Sequence, residues 1–279
     1  MLTWLQENDL LQGELPRRLG REDALLLPEG GLDAALALSR TTDREILFPV
    51  PAEEGTALYS LWEFRPWGRK PLPKPFYLFC EGAVTEANYF RGFQRYLEQE
   101  PVYRGMLTIV PCASNTTQIV REAEKYAEKH LLSEGEVWCV FDKDDFPAAR
   151  FNEAVARTET LTAESSGVSW HAAWSNECFE IWFVLHFADY RANNDREQYL
   201  HFLKKQLGGY RKNQEDLFDR LLEEGSPRLA IRYARRMLEE AGSRPPSEIA
   251  PGTTVFRLVE ELAAYLPEEV GKRFLTTDA

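Results

Sequence analysis

Asp142, Lys143, Asp144 and Asp145 stand together at the end of the apolar run VWCVF of residues 137–141. Like charges repel, and carboxylates taken out of water are costly, so the cluster needs a counter-ion, a solvated loop or a helix start. Hard cations such as Mg²⁺, or Mn²⁺ in its place, take oxygen ligands, often one or two carboxylates. The Asp-x-Asp spacing lets Asp142 and Asp144 point the same way on an extended backbone. Two more apolar runs end in polar residues. FYLFC ends at Glu81–Gly82, and GVSWHAAW ends at Ser175 and Asn176, with Glu180 one helical turn on. Glu81 would add a carboxylate from a neighbouring strand. Asp145 is either a further ligand or, ahead of Pro147, the start of the next helix. A metal held this way activates water and steadies a phosphate oxygen, and two metals clamp the attacking and leaving oxygens. The chemistry that fits is phosphodiester cleavage or another phosphoryl transfer. Asn176 and Glu180 would complete the site. Lys143 and Ser175, with Arg211 and Lys212 in the YRK stretch after Gly209, are the candidate phosphate contacts.

These residues need a scaffold that brings strand ends together. Between residues 76 and 190 the pattern alternates. FYLFC, MLTIVPC, EVWCVF and GVSWHAAW read as buried strands. TEANYFRGFQRYLEQE, QIVREAEKYAEKHLL and AARFNEAVART between them carry helical spacing, with Thr85 and Thr116 or Thr117 as N-caps. Such alternation predicts an α/β fold with a mostly parallel sheet covered on both faces. Ligands of open parallel sheets bind beyond the carboxyl ends of the strands, where the carboxylates fall. The sequence after residue 190 is mostly helical. Before it, LDAALALS reads as a short helix, and REILFPVP and ALYSLWEF as strands. The proline-rich and basic segment FRPWGRKPLPKPF marks a boundary. The expected division is an N-terminal region at 1–70, an α/β core at 71–190, and a helical part at 191–279.

The chain has 279 residues and a formal net charge of −12. A module that holds nucleic acid by charge alone should be basic, so any such contact must use a local basic patch, a metal or a partner. Arg232, Arg235 and Arg236 fall at helical spacing and form one basic face, with local salt-bridge partners as its plainer use. The four cysteines Cys80, Cys112, Cys139 and Cys178 form no CxxC pair and read as buried thiols. His130, His171, His186 and His201 lack metal-ligand spacing with one another. No stretch matches the roughly 20 apolar residues of a membrane helix. The acidic N-terminus lacks a signal-peptide layout, so a cytoplasmic protein is expected.

FYLFCEGAVTEANYF, VWCVFDKDDF and AWSNECFEIWFVLHF, in that order and spacing, resemble the RloB-like family, as do the later GYRKN and TTVFRLVEEL. The resemblance runs from about residue 76 to about residue 266. It implies a Toprim-type fold and a link to bacterial antiphage defence and abortive infection. Toprim domains carry a glutamate after the first strand and an Asp-x-Asp after the third. These fall here on Glu81, Asp142 and Asp144, and the resemblance implies Mg²⁺ on the aspartates with acid–base or metal-binding work for the glutamate. The SN-CFE element is particular to the RloB-like group and points to Ser175, Asn176 and Glu180. Glu177 stands where the family pattern has proline. An ATPase partner accompanies some such systems, and no GxxxxGK[ST] loop occurs in this chain.

The leading expectation is a Mg²⁺-dependent nuclease acting in defence, on RNA, tRNA included, before DNA, by analogy with Toprim-type effectors. Two other readings stand beside it. One is a subunit that is non-catalytic or active only within a complex; the other is a haloacid-dehalogenase-like phosphatase with Asp142 as nucleophile. The latter motif belongs after a first core strand and would give Glu81 no role. A homo-oligomer is compatible with each.

Overall fold

The protein is described from a computed structural model. It describes residues 25–26, 46–51, 56–60, 74–82, 84–100, 103–112, 116–193, 196–211 and 214–274. The chain forms two compact units, Met1–Pro73 and Lys74–Ala279. In the first, β1 (Leu25–Leu26) pairs in parallel with β2 (Ile46–Pro51), which pairs antiparallel with β3 (Thr56–Ser60). The stretches REILFPVP and ALYSLWEF thus contain strands, while the helix expected at LDAALALS lies outside the described residues.

The second unit follows the predicted alternation: β4 (Phe76–Cys80), α1 (Thr85–Leu97), β5 (Leu107–Pro111), α2 (Thr116–Lys129), β6 (Gly135–Asp142), α3 (Ala148–Glu164) and β7 (Val168–Asn176). Among the described residues six more α-helices follow: α4 (Glu180–Val184), α5 (Arg196–Gln206), α6 (Leu217–Glu224), α7 (Pro227–Ala241), α8 (Val255–Ala263) and α9 (Glu268–Gly271), with β8 (Gly252–Thr253) between α7 and α8. The sheet runs β5-β4-β6-β7-β8. All its pairs are parallel except β7 with β8. This is the mostly parallel α/β sheet flanked by helices that the Toprim-type resemblance implies.

Parallel strands buried on both faces must be apolar on both, and β6 is buried from Gly135 to Phe141. Its alternate residues feed two cores. Trp138 and Val140 join Phe76, Leu78 and Cys80 under α1 and α4–α8. Val137, Cys139 and Phe141 join Phe79 under α2 and α3. On the first face, Tyr89, Phe90 and Phe93 of α1 interlock with Phe179 and Phe183, and with Phe218 of α6, at centroid separations from 4.8 to 6.2 Å. Aromatic pairs of this kind contribute about 0.5–1.5 kcal/mol each beyond their buried area. They fix α1 against the start of α4, and with them the acidic first turns of both helices.

Three local expectations shift. Thr85 opens α1 as its first residue, with Val84 in the cap position and no side-chain cap. Asp145 does not start α3, whose cap position is Pro147. The part after residue 190, read as mostly helical, also contains a strand: Thr253 belongs to β8, and α8 starts at Val255.

Gly92 lies on the face of α1 that meets Phe218, and a Cβ there would overlap the Phe218 ring. Alanine gains about 1 kcal/mol of helix propensity over glycine. Overpacking a filled core costs about 1–3 kcal/mol. Gly92→Ala is therefore expected to lower the urea midpoint and Tm; a midpoint at or above wild type would contradict the packing described.

Candidate functional site

The parallel register assembles the site. Cys80 lies opposite Val140, and the Glu81 amide continues the ladder by donating to Val140 O at 2.9 Å. The Glu81 side chain then turns toward the end of β6. Its Oε2 accepts the Asp142 N–H at 3.0 Å. Its Oε1 faces the Thr116 hydroxyl at 3.4 Å, and that hydroxyl also lies 3.2 Å from Asp142 O. Thr116, read as a possible helix cap, instead ties the first turn of α2 to both acidic strand ends.

Asp142 is the last residue of β6 and its side chain is 13 % exposed. Its Oδ1 is buried without a hydrogen-bond partner. Asp144 does not lie on an extended backbone as the Asp-x-Asp spacing suggests. It takes φ 38°, a left-handed conformation that Asp tolerates better than most residues, and its amide donates to Glu177 O at 2.9 Å. The turn, not strand alternation, brings the two aspartates together. Nη2 of Arg196, at the start of α5, lies 3.6 Å from Asp142 Oδ2 and 3.2 Å from Asp144 Oδ2.

Glu86 and Glu180, 6 % and 2 % exposed, complete the acidic lining. With Glu81, Gly82, Val84, Thr85, Asp142, Asp144, Phe179 and Arg196 they border a cleft of about 450 Å³. Gly82 leaves room for the Glu86 carboxylate, which a Cβ there would push aside. Five carboxylates and one guanidinium thus share the cleft. Burial, then Glu86, Glu180 and Glu81, push the Asp142 carboxyl well above the usual carboxylate range. Burial also pushes Glu81 up to about 7, opposed by the Asp142 amide and raised further by Glu86. The amino edge of the same sheet shows the contrast. There burial raises Glu136, but His171 at 2.6 Å and Lys74 at 2.6 Å outweigh it, and the net shift is downward.

Of the residues singled out from sequence, the structure brings Glu81, Asp142, Asp144 and Glu180 into the cleft. Asn176 and Ser175 are turned to other work. Asn176 Nδ2 donates to Ser247 O at 3.1 Å, holding the loop before β8. Ser175 is fully buried with its hydroxyl 3.2 Å from Thr253 Oγ1, so it cannot touch a substrate in this arrangement. Asp145 is exposed and outside the cleft lining. Lys143 donates from Nζ to Asp144 O at 3.0 Å, near the cleft. Arg211 is exposed, with its amide bonded to Gln214 Oε1, and Lys212 lies outside the described residues. Two of the three arginines of the basic face are paired, Arg235 with Glu260 and Arg236 with Asp189, and Arg232 lies over the Tyr233 ring. All four cysteines are free. His186 is buried, Nδ1 2.9 Å from Trp182 O, and burial lowers its pKa to about 4.

Glu86, Thr116 and Arg196 were not legible as site residues. Glu86 looks like an ordinary acid in a first helical turn. Its distinguishing signal is the preceding Gly82, which leaves room for it.

The resemblance implies Mg²⁺, and the donor set suits it. Apart from Arg196, the charged groups lining the cleft are carboxylates. Hard cations prefer such oxygen donors, and Asp142 Oδ1 is a buried acceptor without a donor. Among the described residues no three His, Cys, Asp or Glu side chains already close around a metal position; Arg196 stands between the two aspartates instead.

The model of the RloB-like protein family matches residues 76–262. That span runs from β4 into α8 and contains the whole cleft lining. No curated protein and no solved structure matches the chain. No described helix is long and apolar enough to cross a membrane.

Glu81 carries a pH signature. Its folded-state pKa lies above its ordinary value, so between about pH 4.5 and about pH 7 the folded protein keeps a proton that the unfolded chain has released. Stability then falls as pH rises through that window, and Asp142 acts in the same direction. In EDTA, Tm is expected to drop between about pH 4.5 and about pH 7, with a shallower drop in Glu81→Gln; a Tm rising with pH in wild type, or equal slopes in both proteins, would contradict the assignment.

Proposed function

This chain belongs to the RloB-like family, and on that footing we propose that it is a Mg²⁺-dependent nuclease of antiphage defence, acting on RNA before DNA. The observation that carries the reading is the convergence of Glu81, Asp142 and Asp144 at the carboxyl edge of a parallel sheet, with Glu86 and Glu180 behind them. A polyanionic substrate would be repelled by such a cleft unless cations enter with it. Asp142 and Asp144 would hold Mg²⁺, with Glu180 and Glu86 adding negative charge alongside. When bound, the ion supplies Lewis-acid polarisation of a phosphoryl oxygen and a lowered pKa for water.

The remaining work falls to the chain. A general base serves best with a pKa near working pH, and Glu81 sits at about 7. Glu81 would take the proton of the attacking water and return it to the leaving oxygen. The Asp142 amide and the Thr116 hydroxyl fix the Glu81 carboxylate for that task. Lys143, whose Nζ rests on Asp144 O, can turn to a phosphate oxygen. The preference for RNA rests on likeness to Toprim-type effectors. An ATPase partner is part of the same proposal, since the chain has no P-loop. The phosphatase reading gives no task to Glu81, whose carboxylate is bonded to the very aspartate that reading makes the nucleophile.

Purified protein is expected to cleave RNA oligonucleotides with Mg²⁺ and not with EDTA. The Asp142→Ala, Asp144→Ala double variant should lose at least about 1000-fold in rate, the scale of losing a central catalytic function. Cleavage at the wild-type rate by the double variant would sink the assignment.

A further inference from the structure

The cation nearest the two aspartates is the chain's own. Arg196 is 33 % exposed at the side chain, and one nitrogen, Nη2, faces both carboxylates. The separations of 3.6 and 3.2 Å are longer than the roughly 2.7–2.9 Å of a charge-assisted hydrogen bond. Its Nε is buried, and the buried Cys178 sulfur is its other side-chain neighbour. The guanidinium therefore neutralises the pair by proximity and not as a two-pronged clamp. Elsewhere in the molecule, Arg157 to Glu124 at 2.5 Å and Arg191 to Glu240 at 2.6 Å show tighter pairs. The arginine is also outnumbered, with five carboxylates around one cleft. Its backbone is well anchored, because Tyr199 and Leu203 of α5 are fully buried. Side-chain rotation alone can move the charge while the helix stays in place.

We propose that Arg196 and a divalent cation are alternative occupants of the Asp142–Asp144 pair, and that the displaced guanidinium then binds a phosphate of the nucleic-acid substrate. The inference rests on the metal-dependent nuclease reading and adds to it an exchange of cations and a substrate contact. Two positive groups cannot share one pair of oxygens closely without mutual repulsion. A guanidinium turned out of the pair keeps its planar fork, which suits phosphate oxygens better than an ammonium does. The same side chain would thus stabilise the metal-free cleft and recognise substrate in the loaded one.

Mn²⁺ titration followed by the EPR signal of the free ion tests the exchange in the absence of nucleic acid. Arg196→Gln and Arg196→Met are both used, so that one misfolded variant does not decide the matter, with Arg196→Lys as the charged control. The two neutral variants should bind Mn²⁺ about tenfold tighter than wild type, the scale of one partly buried ion pair. The lysine variant should stay within about threefold, since it keeps the competing charge. In Ca²⁺, a labelled RNA oligonucleotide should bind the neutral variants about tenfold more weakly. Equal or weaker Mn²⁺ binding by folded neutral variants would overturn the exchange, and unchanged RNA affinity would overturn the substrate contact. If wild type binds Mn²⁺ and cleaves RNA while the variants match it, the nuclease reading stands and this inference alone falls. If no form binds Mn²⁺, both fall.

Discussion

Mutual repulsion among partly desolvated carboxylates is the constraint that the second unit is built around. Glu81, Glu86, Asp142, Asp144 and Glu180 border one cleft with a single arginine. At an effective dielectric of about 20, two unit charges 4 Å apart interact by about 4 kcal/mol. A fold whose net stability is about 5–15 kcal/mol can carry such repulsion only if it is neutralised or strongly supported. Both occur. Glu81 and Asp142 are shifted toward their protonated forms, and Arg196 offsets charge from the open side. The support comes from the aromatic cluster of α1, α4 and α6, which holds the bases of Glu86 and Glu180 in place.

The amino edge of the sheet shows that this chain can satisfy an acidic residue when it has no other use for it. Glu136 is bracketed by Lys74 and His171, and His171 in turn stacks on Trp138 at 4.3 Å. The two edges belong to the same parallel strands. They differ in the balance of charge: Glu136 faces Lys74 and His171, whereas five carboxylates at the other edge share one arginine. Asp142 Oδ1, a buried acceptor without a hydrogen-bond partner, marks the place at the carboxyl edge where an external cation is favoured.

The repeated strand and helix periods made the sheet and its helices legible in the sequence, because a buried parallel strand is a run of apolar residues and an amphipathic helix repeats every three or four. The same logic located Glu81, Asp142, Asp144 and Glu180, which sit where apolar runs end. It could not reveal β8, since two residues carry no period. Nor could it orient Ser175 and Asn176, whose side chains are taken up by that late strand and the loop before it. Arg196 is more than fifty residues from Asp142 in sequence and meets it only through the packing of α5. Asp144 reached its place by a left-handed turn that the Asp-x-Asp spacing does not specify.

The late edge strand closes the sheet with contacts distant in sequence. β8 pairs with the end of β7 through Ser175 with Thr253 and Asn176 with Gly252, and Asn152 of α3 grips Ser247 in the same loop. Arg95 of α1 pairs with Asp219 of α6 across 124 residues. Contacts so distant in sequence slow folding, since loop closure precedes the reward. During synthesis from the N-terminal end, β7 gains this edge partner only once the chain has grown past residue 253. Every residue that lines the cleft has by then been made, since the lining ends at Arg196.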